Sequence, residues 1–187
     1  MKRRHGLACG YHLHGFTLIE QILAVALMAV LACMAVPALG HLMNRSQLLT
    51  AQWEIIAALQ ATRGLAVHTG RRAMLCPTRD GQHCSDELRW EGGWLSGHYR
   101  RDRPDQLDGA PSLVASGHER LTILSTAGRK RIRFQPDGSA SGSNVTFTLC
   151  PRGRTEGALV VVLSNAGRAY GTKATAVQAQ SCAIASP

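Results

Sequence analysis

The residue best placed to do chemistry is Glu20, the only acidic group from Phe16 to Met43 and two residues before an apolar run from Ile22 to Met43. An unpaired carboxylate inside a bilayer costs roughly 2.5–3.5 kcal/mol or more, so it calls for a cationic partner. A cut between Gly15 and Phe16 would create an α-amine on Phe16, four residues before the carboxylate. The competing reading leaves Glu20 at the surface. In both, a negative charge near the start of a helix is favoured by the helix dipole.

Cysteines form the second set. Cys9 lies before Gly15 and Cys33 within the apolar run, leaving Cys76, Cys84, Cys150 and Cys182. Four cysteines allow three pairings, which sequence alone leaves open. The short Cys76 to Cys84 spacing suits a hairpin, so the expected pairs are Cys76 with Cys84 and Cys150 with Cys182. Such bridges persist in an oxidising space such as the bacterial periplasm.

Arginines form the third set. Arg129, Arg131 and Arg133 alternate, so in a strand they share one face, with Arg152 and Arg154 following Cys150. A basic stripe without interleaved aromatics suits phosphate contact rather than base readout, and such binding falls steeply with salt. The same pattern also fits a plain solvated face. Contact with anionic lipid is the weaker expectation, because the stripe lies far along the chain from the apolar run.

Catalysis finds no foothold. His68, His83, His98 and His118 are scattered without metal-ligand spacing. Cys76, His83 and Cys84 supply three ligands at most. Neither a serine nucleophile elbow nor a glycine-rich phosphate loop is present. A non-enzymatic chain without metal or cofactor is therefore expected.

These groups need elements to hold them. Met1-Lys2-Arg3-Arg4 is a short basic start, and the apolar run follows it. A secretory signal carries its cleavage site after its apolar region; a cut at Gly15 would instead retain that region. Residues 18–39 suffice for the roughly 20 helical positions that cross a bilayer, although Pro37 should kink or break the helix. Basic residues at the start place it in the cytoplasm and the rest outside. Without Lys2, Arg3 and Arg4, 18 basic residues face 12 acidic ones, a net of about +6.

The helix is expected to continue to about His68. Leu48, Leu49, Trp53, Ile56, Leu59, Ala66 and Val67 supply an apolar face, and Gly70 marks the end. Strands are expected at residues 73–76, 90–99, 121–124, 131–135, 145–149, 159–164 and 168–172, with a surface loop at 100–111 and a turn at 136–139. Ile132, Phe134, Val145, Phe147 and Leu149 should pack against the second half of the helix. With aromatic residues at 5% and 19 glycines, the remainder reads as a small, loop-rich β domain.

Gly15 followed by Phe16-Thr17-Leu18-Ile19-Glu20 resembles the processing junction of type IV prepilins and type II secretion pseudopilins. Further blocks resemble the subfamily containing minor pseudopilin H and the minor pilin FimT. They are Leu75-Cys76-Pro77 with Asp80-Gly81 and Cys84, Gly93-Trp94, Ile132-Arg133-Phe134 with Gly138, Phe147-Thr148-Leu149-Cys150, and Gly167-Arg168. The resemblance implies an α+β fold: a long N-terminal transmembrane and assembly helix packed on an antiparallel β-sheet. It divides the chain into a leader (1–15), that helix (16–43) and a periplasmic globular domain (44–187).

It further implies cleavage after Gly15 by prepilin peptidase, methylation of the Phe16 amine, and pairing of Glu20 with a neighbouring subunit's amine during assembly. Single-pass residence in the inner membrane would then precede a filament of other pilins or pseudopilins. The implied role is a minor subunit that starts or caps a type II secretion or type IV pilus filament. The alternative is DNA capture of the FimT type, through a Gly-Arg-any-Arg motif. Gly167 and Arg168 match it, Tyr170 occupies the second arginine's place, and Lys173 is the nearest further cation.

Overall fold

The structure is a computed structural model that describes residues 17–140 and 142–185, without the side chains of residues 34–39 and 41. The chain divides into two compact units, residues 1–42 and residues 43–187. Helix α1, Leu18–Thr69, contributes to both. It continues through Pro37, where a kink or break was expected. It ends at Gly70, whose φ of 62° is the left-handed conformation that glycine adopts without penalty.

In the first unit Leu18, Ile19, Ile22, Leu23, Val25, Leu27, Met28, Val30 and Leu31 are all exposed. Apolar residues on every side of a helix characterise one that is covered by something other than its own domain. Among the described residues no helix is long and apolar enough to cross a membrane. The expected span of residues 18–39 includes positions 34–39, whose side chains lie outside the described residues.

The second unit holds the core. Its strands are β1 (Ala73–Pro77), β2 (Gly93–His98), β3 (Leu113–Ser116), β4 (Leu121–Ser125), β5 (Ile132–Phe134), β6 (Val145–Pro151), β7 (Leu159–Leu163) and β8 (Ala169–Lys173), followed by helix α2 (Ala176–Ile184). The one expected sheet is in fact two antiparallel sheets of four strands, ordered β3-β2-β1-β5 and β4-β6-β7-β8. Residues 88–91 tie them together. Trp90 and Ser125 donate their N–H groups to Ile123 O and Leu88 O, and the Glu91 carboxylate accepts from the Ile123 N–H.

Within α1, Leu48, Ala51, Ile55, Ala58, Leu59 and Ala66 recur at three- and four-residue steps and are buried. They pack with Ile132, Phe134, Val145, Phe147 and Leu149, as the alternation of the strands requires. Trp90 meets Phe147 edge to face, with ring centroids 4.9 Å apart. The helix is rotated from the expected face: Leu49, Trp53 and Val67 are exposed.

The loop closed by Cys76 and Cys84 is organised by Asp80. Its carboxylate accepts from the Gln82 and His83 N–H groups at 2.9 and 2.8 Å and lies 2.8 Å from His83 Nδ1. The His83 ring, followed by these N–H groups, holds the carboxyl well below the usual carboxylate range. Because the folded pKa is depressed, the contribution is present above the unfolded value of about 3.9 and is lost as pH falls through the folded one. The Asp80 carboxyl carbon is expected to titrate well below 3.9 by NMR, and Asp80→Asn to speed amide exchange at Gln82 and His83. A midpoint at the unfolded value would refute the loop's dependence on this charge.

Candidate functional site

Glu20 is exposed in the first turn of α1, where its N–H donates to Thr17 O at 3.1 Å. Gly15 and Phe16, the expected cleavage and methylation positions, lie outside the described residues. Both cysteine pairs are bridged: Cys76 to Cys84 and Cys150 to Cys182, with Cα atoms 5.5 and 6.1 Å apart. The second bridge binds α2 to β6. Helix α2 had no counterpart among the expected elements, since it is short and carries no charge to mark a polar face. The available signal was its capping box: Gln178 N–H donates to Thr175 Oγ1, and Thr175 N–H to Gln178 Oε1.

The expected arginine stripe is occupied from within. Only Arg133 lies in β5; Arg129 and Arg131 precede it. Arg129 donates to Asn144 O and Oδ1. Arg131 donates to Ser85 O, Lys130 O and Asp105 O, and its side chain is only 9% exposed. Burial pushes its pKa down, opposed by Asp86 and Asp105. Arg133 pairs with Asp105 at 2.7 Å, donates to Pro104 O and lies 6.0 Å from the centroid of the Tyr99 ring. Arg131 and Arg133 therefore hold the 100–111 loop against β5, a use that alternation alone does not reveal.

Arg152, Arg154, Arg168 and Lys173 are exposed, and no acid pairs with them among the described residues. They divide between opposite ends of the second sheet. Arg168 is in the β7–β8 hairpin, next to the Leu163 and Ala169 pair. That end packs on the C-terminal part of α1, where Arg63 Nε donates to Gly138 O at 2.9 Å. A Cβ on Gly167 would lie 2.2 Å from the same Gly138 carbonyl and 3.0 Å from Arg63 Nε. Lys173 is at the other end, opposite Leu159. Four residues of strand separate the two rungs by about 13 Å.

A groove of about 460 Å³ runs between α1 and the free edge of β3, lined by Glu54, Ala57, Ala58, Ala61, Trp94, residues 113–117 and His118. His118 Nε2 lies 2.8 Å from Glu54 Oε2 and its ring stacks on Trp94. No nucleophile hydrogen-bonded to a base lines it among the described residues. β3 has no counterpart among the expected strands.

A long N-terminal helix, its second half packed on antiparallel sheet and its first half presenting apolar side chains outward, defines the type IV pilin class of fold. The chain belongs to the GspH family, whose model, described as type II transport protein GspH, matches residues 52–167. It is similar to the type IV minor pilin FimU of Pseudomonas aeruginosa in two crystal forms. The P21 form shows 25% identity and a TM-score of 0.57, covering 69% of this chain and 90% of that one. For the P65 form the values are 25%, 0.55, 67% and 92%. No curated protein sequence matches the chain.

Proposed function

We propose that this chain is a minor pilin or pseudopilin, a structural subunit that starts or caps a type II secretion or type IV pilus filament. The family match over residues 52–167 carries the reading. It is supported by the exposed apolar residues of α1 from Leu18 to Leu31, which require either lipid or the helices of other subunits around them. In this reading prepilin peptidase cuts after Gly15, Phe16 becomes the methylated N-terminus, and Glu20 pairs with an amine on a neighbouring pilin. Before assembly, residues 16–43 hold the protein in the inner membrane with residues 44–187 in the periplasm.

The test is the mature N-terminus. Protein purified from a host containing prepilin peptidase is expected to begin at N-methylated Phe16 by mass spectrometry. A Gly15→Leu variant is expected to keep Met1 and to disappear from sheared filament fractions. A wild-type chain that still begins at Met1 would overturn the proposal.

A further inference from the structure

We propose that the end of the globular unit from which α1 runs toward its apolar half is a docking surface for anionic phospholipid headgroups. The proposal rests on the membrane-anchored reading above. Strand register assembles the surface. Ile123 pairs with Leu149, Leu149 with Leu159, and Leu159 with Lys173, forming one rung across all four strands of the second sheet. Arg120 precedes Ile123, and Arg152 and Arg154 follow Leu149, so all three lie beyond that rung on the side marked by Lys173. The Arg152 N–H donates to Arg120 O at 3.1 Å, joining two of the basic positions directly.

This end is also where α1 enters the unit. A Cβ on Gly157, in the β6–β7 connection, would lie 3.6 Å from Leu48 Cδ1. The Gln52 amide donates to Val160 O and Thr172 O at 3.0 and 3.2 Å. Arg45 lies about one helical turn before Leu48, and Met43 and Leu42 before it are exposed apolar residues. Arg45, Arg120, Arg152, Arg154 and Lys173 are all exposed, and Glu119 and Glu156 are the acids set among them. The positive excess thus stands at the end of the globular unit that holds Arg45 and Leu48 of α1. That arrangement suits a bilayer whose surface is negative and whose attraction reaches one Debye length, about 8 Å at physiological salt. Arg152 and Arg154 are about a hundred residues beyond Arg45 in sequence, yet strand register puts them at the end of the globular unit where α1 enters it. Arg168, about 13 Å along the sheet, is an internal control.

The full chain would be reconstituted into nanodiscs of phosphatidylcholine, alone or with one quarter phosphatidylglycerol, and followed by hydrogen exchange. Phosphatidylglycerol is expected to slow exchange in residues 152–158 by at least about fivefold, the factor that a single cation near such a surface contributes, and to leave residues 164–168 unchanged. One molar sodium chloride should erase the difference without any mutation, as should R152E/R154E at unchanged Tm. Equal exchange in both discs, with the chain inserted, overturns the lipid surface alone. A chain that enters neither disc overturns the anchored reading and this inference with it. Protection of residues 152–158 by short duplex DNA on phosphatidylcholine discs, without protection by phosphatidylglycerol, would assign the surface to nucleic acid and overturn the proposal.

Discussion

Replacing Gly167 by alanine is expected to destabilise the globular unit by about 3 kcal/mol, near the upper end of what single substitutions do. Two costs add. The residue has a φ of 77°, and left-handed backbone costs a residue with a Cβ roughly 1–2 kcal/mol. The Cβ would also stand 2.2 Å from Gly138 O. That carbonyl is backbone and accepts a half-buried hydrogen bond from the Arg63 guanidinium, so shifting it strains that bond as well. Gly138→Ala is the internal comparison. Its φ is similar, but the nearest atoms to its Cβ would be in the Arg63 and Val67 side chains, at 3.0 Å. Side chains move more cheaply than backbone, so its loss should be smaller. Chemical denaturation would rank the two variants, and the larger loss corresponds to a fall in Tm of about 10 °C. Equal losses at both positions would mean that the carbonyl contact does not govern this hairpin.

The glycine of the Gly167-Arg168 pair is thus explained by the packing of its hairpin on Arg63 and Gly138. In the sequence the pair reads as part of a cationic motif, because the close approach involves residues some thirty and a hundred positions away. What was legible depended on local periodicity. The alternation of Val145, Phe147 and Leu149 defines β6, and the apolar run from residue 159 defines β7. Helix α1 was visible from its length, although its buried face was misjudged. Leu48 and Ile55 face the sheets while Trp53 faces outward, a choice made by the strands and not by the helix. β3 and α2 escaped because four residues, or nine uncharged ones, carry too little pattern. Two sheets were read as one because pairing order depends on contacts such as Trp90 N–H to Ile123 O, which have no signature in composition.

The candidate cations divide by their place in the fold. Arg131 and Arg133 look available in a sequence, yet a guanidinium has five N–H donors and folding supplies carbonyls to take them. The carbonyls of Ser85, Pro104 and Asp105 do so here, and the Asp105 carboxylate takes one more from Arg133. Arg152 and Arg154 lie at the end of the sheet, are exposed, and have no acid paired with them among the described residues. Position in the fold, and not charge density along the chain, separates the arginines that hold a loop from those that can meet a partner.

Removing the Cys150–Cys182 bridge is expected to cost more than removing Cys76–Cys84, because it closes the longer loop. The separations are 32 and 8 residues, for which chain entropy gives about 3.7 and about 2.5 kcal/mol. Both members of the longer bridge are fully buried. Beyond the bridge, α2 is held by a small cluster: Cys150, Ala158, Ala179 and Cys182, with Leu124 and Ala174 against them. Side chains of that size bury little apolar area, so no large hydrophobic contribution can replace the covalent tie. Paired alanine variants, Cys150→Ala with Cys182→Ala and Cys76→Ala with Cys84→Ala, would be compared by denaturant midpoint at equal slope. The first should be less stable by about 1.2 kcal/mol. Trypsin gives a local readout, because Lys173 is exposed and α2 contains no lysine or arginine. In the wild type a cut after Lys173 leaves residues 174–187 attached through the bridge until reductant is added. In the first variant the same cut should release them at once, and core contacts such as Trp90 on Phe147 should persist. A first variant as stable as the second would show that α2 is held by packing, and that loop length does not set the contribution of this bridge.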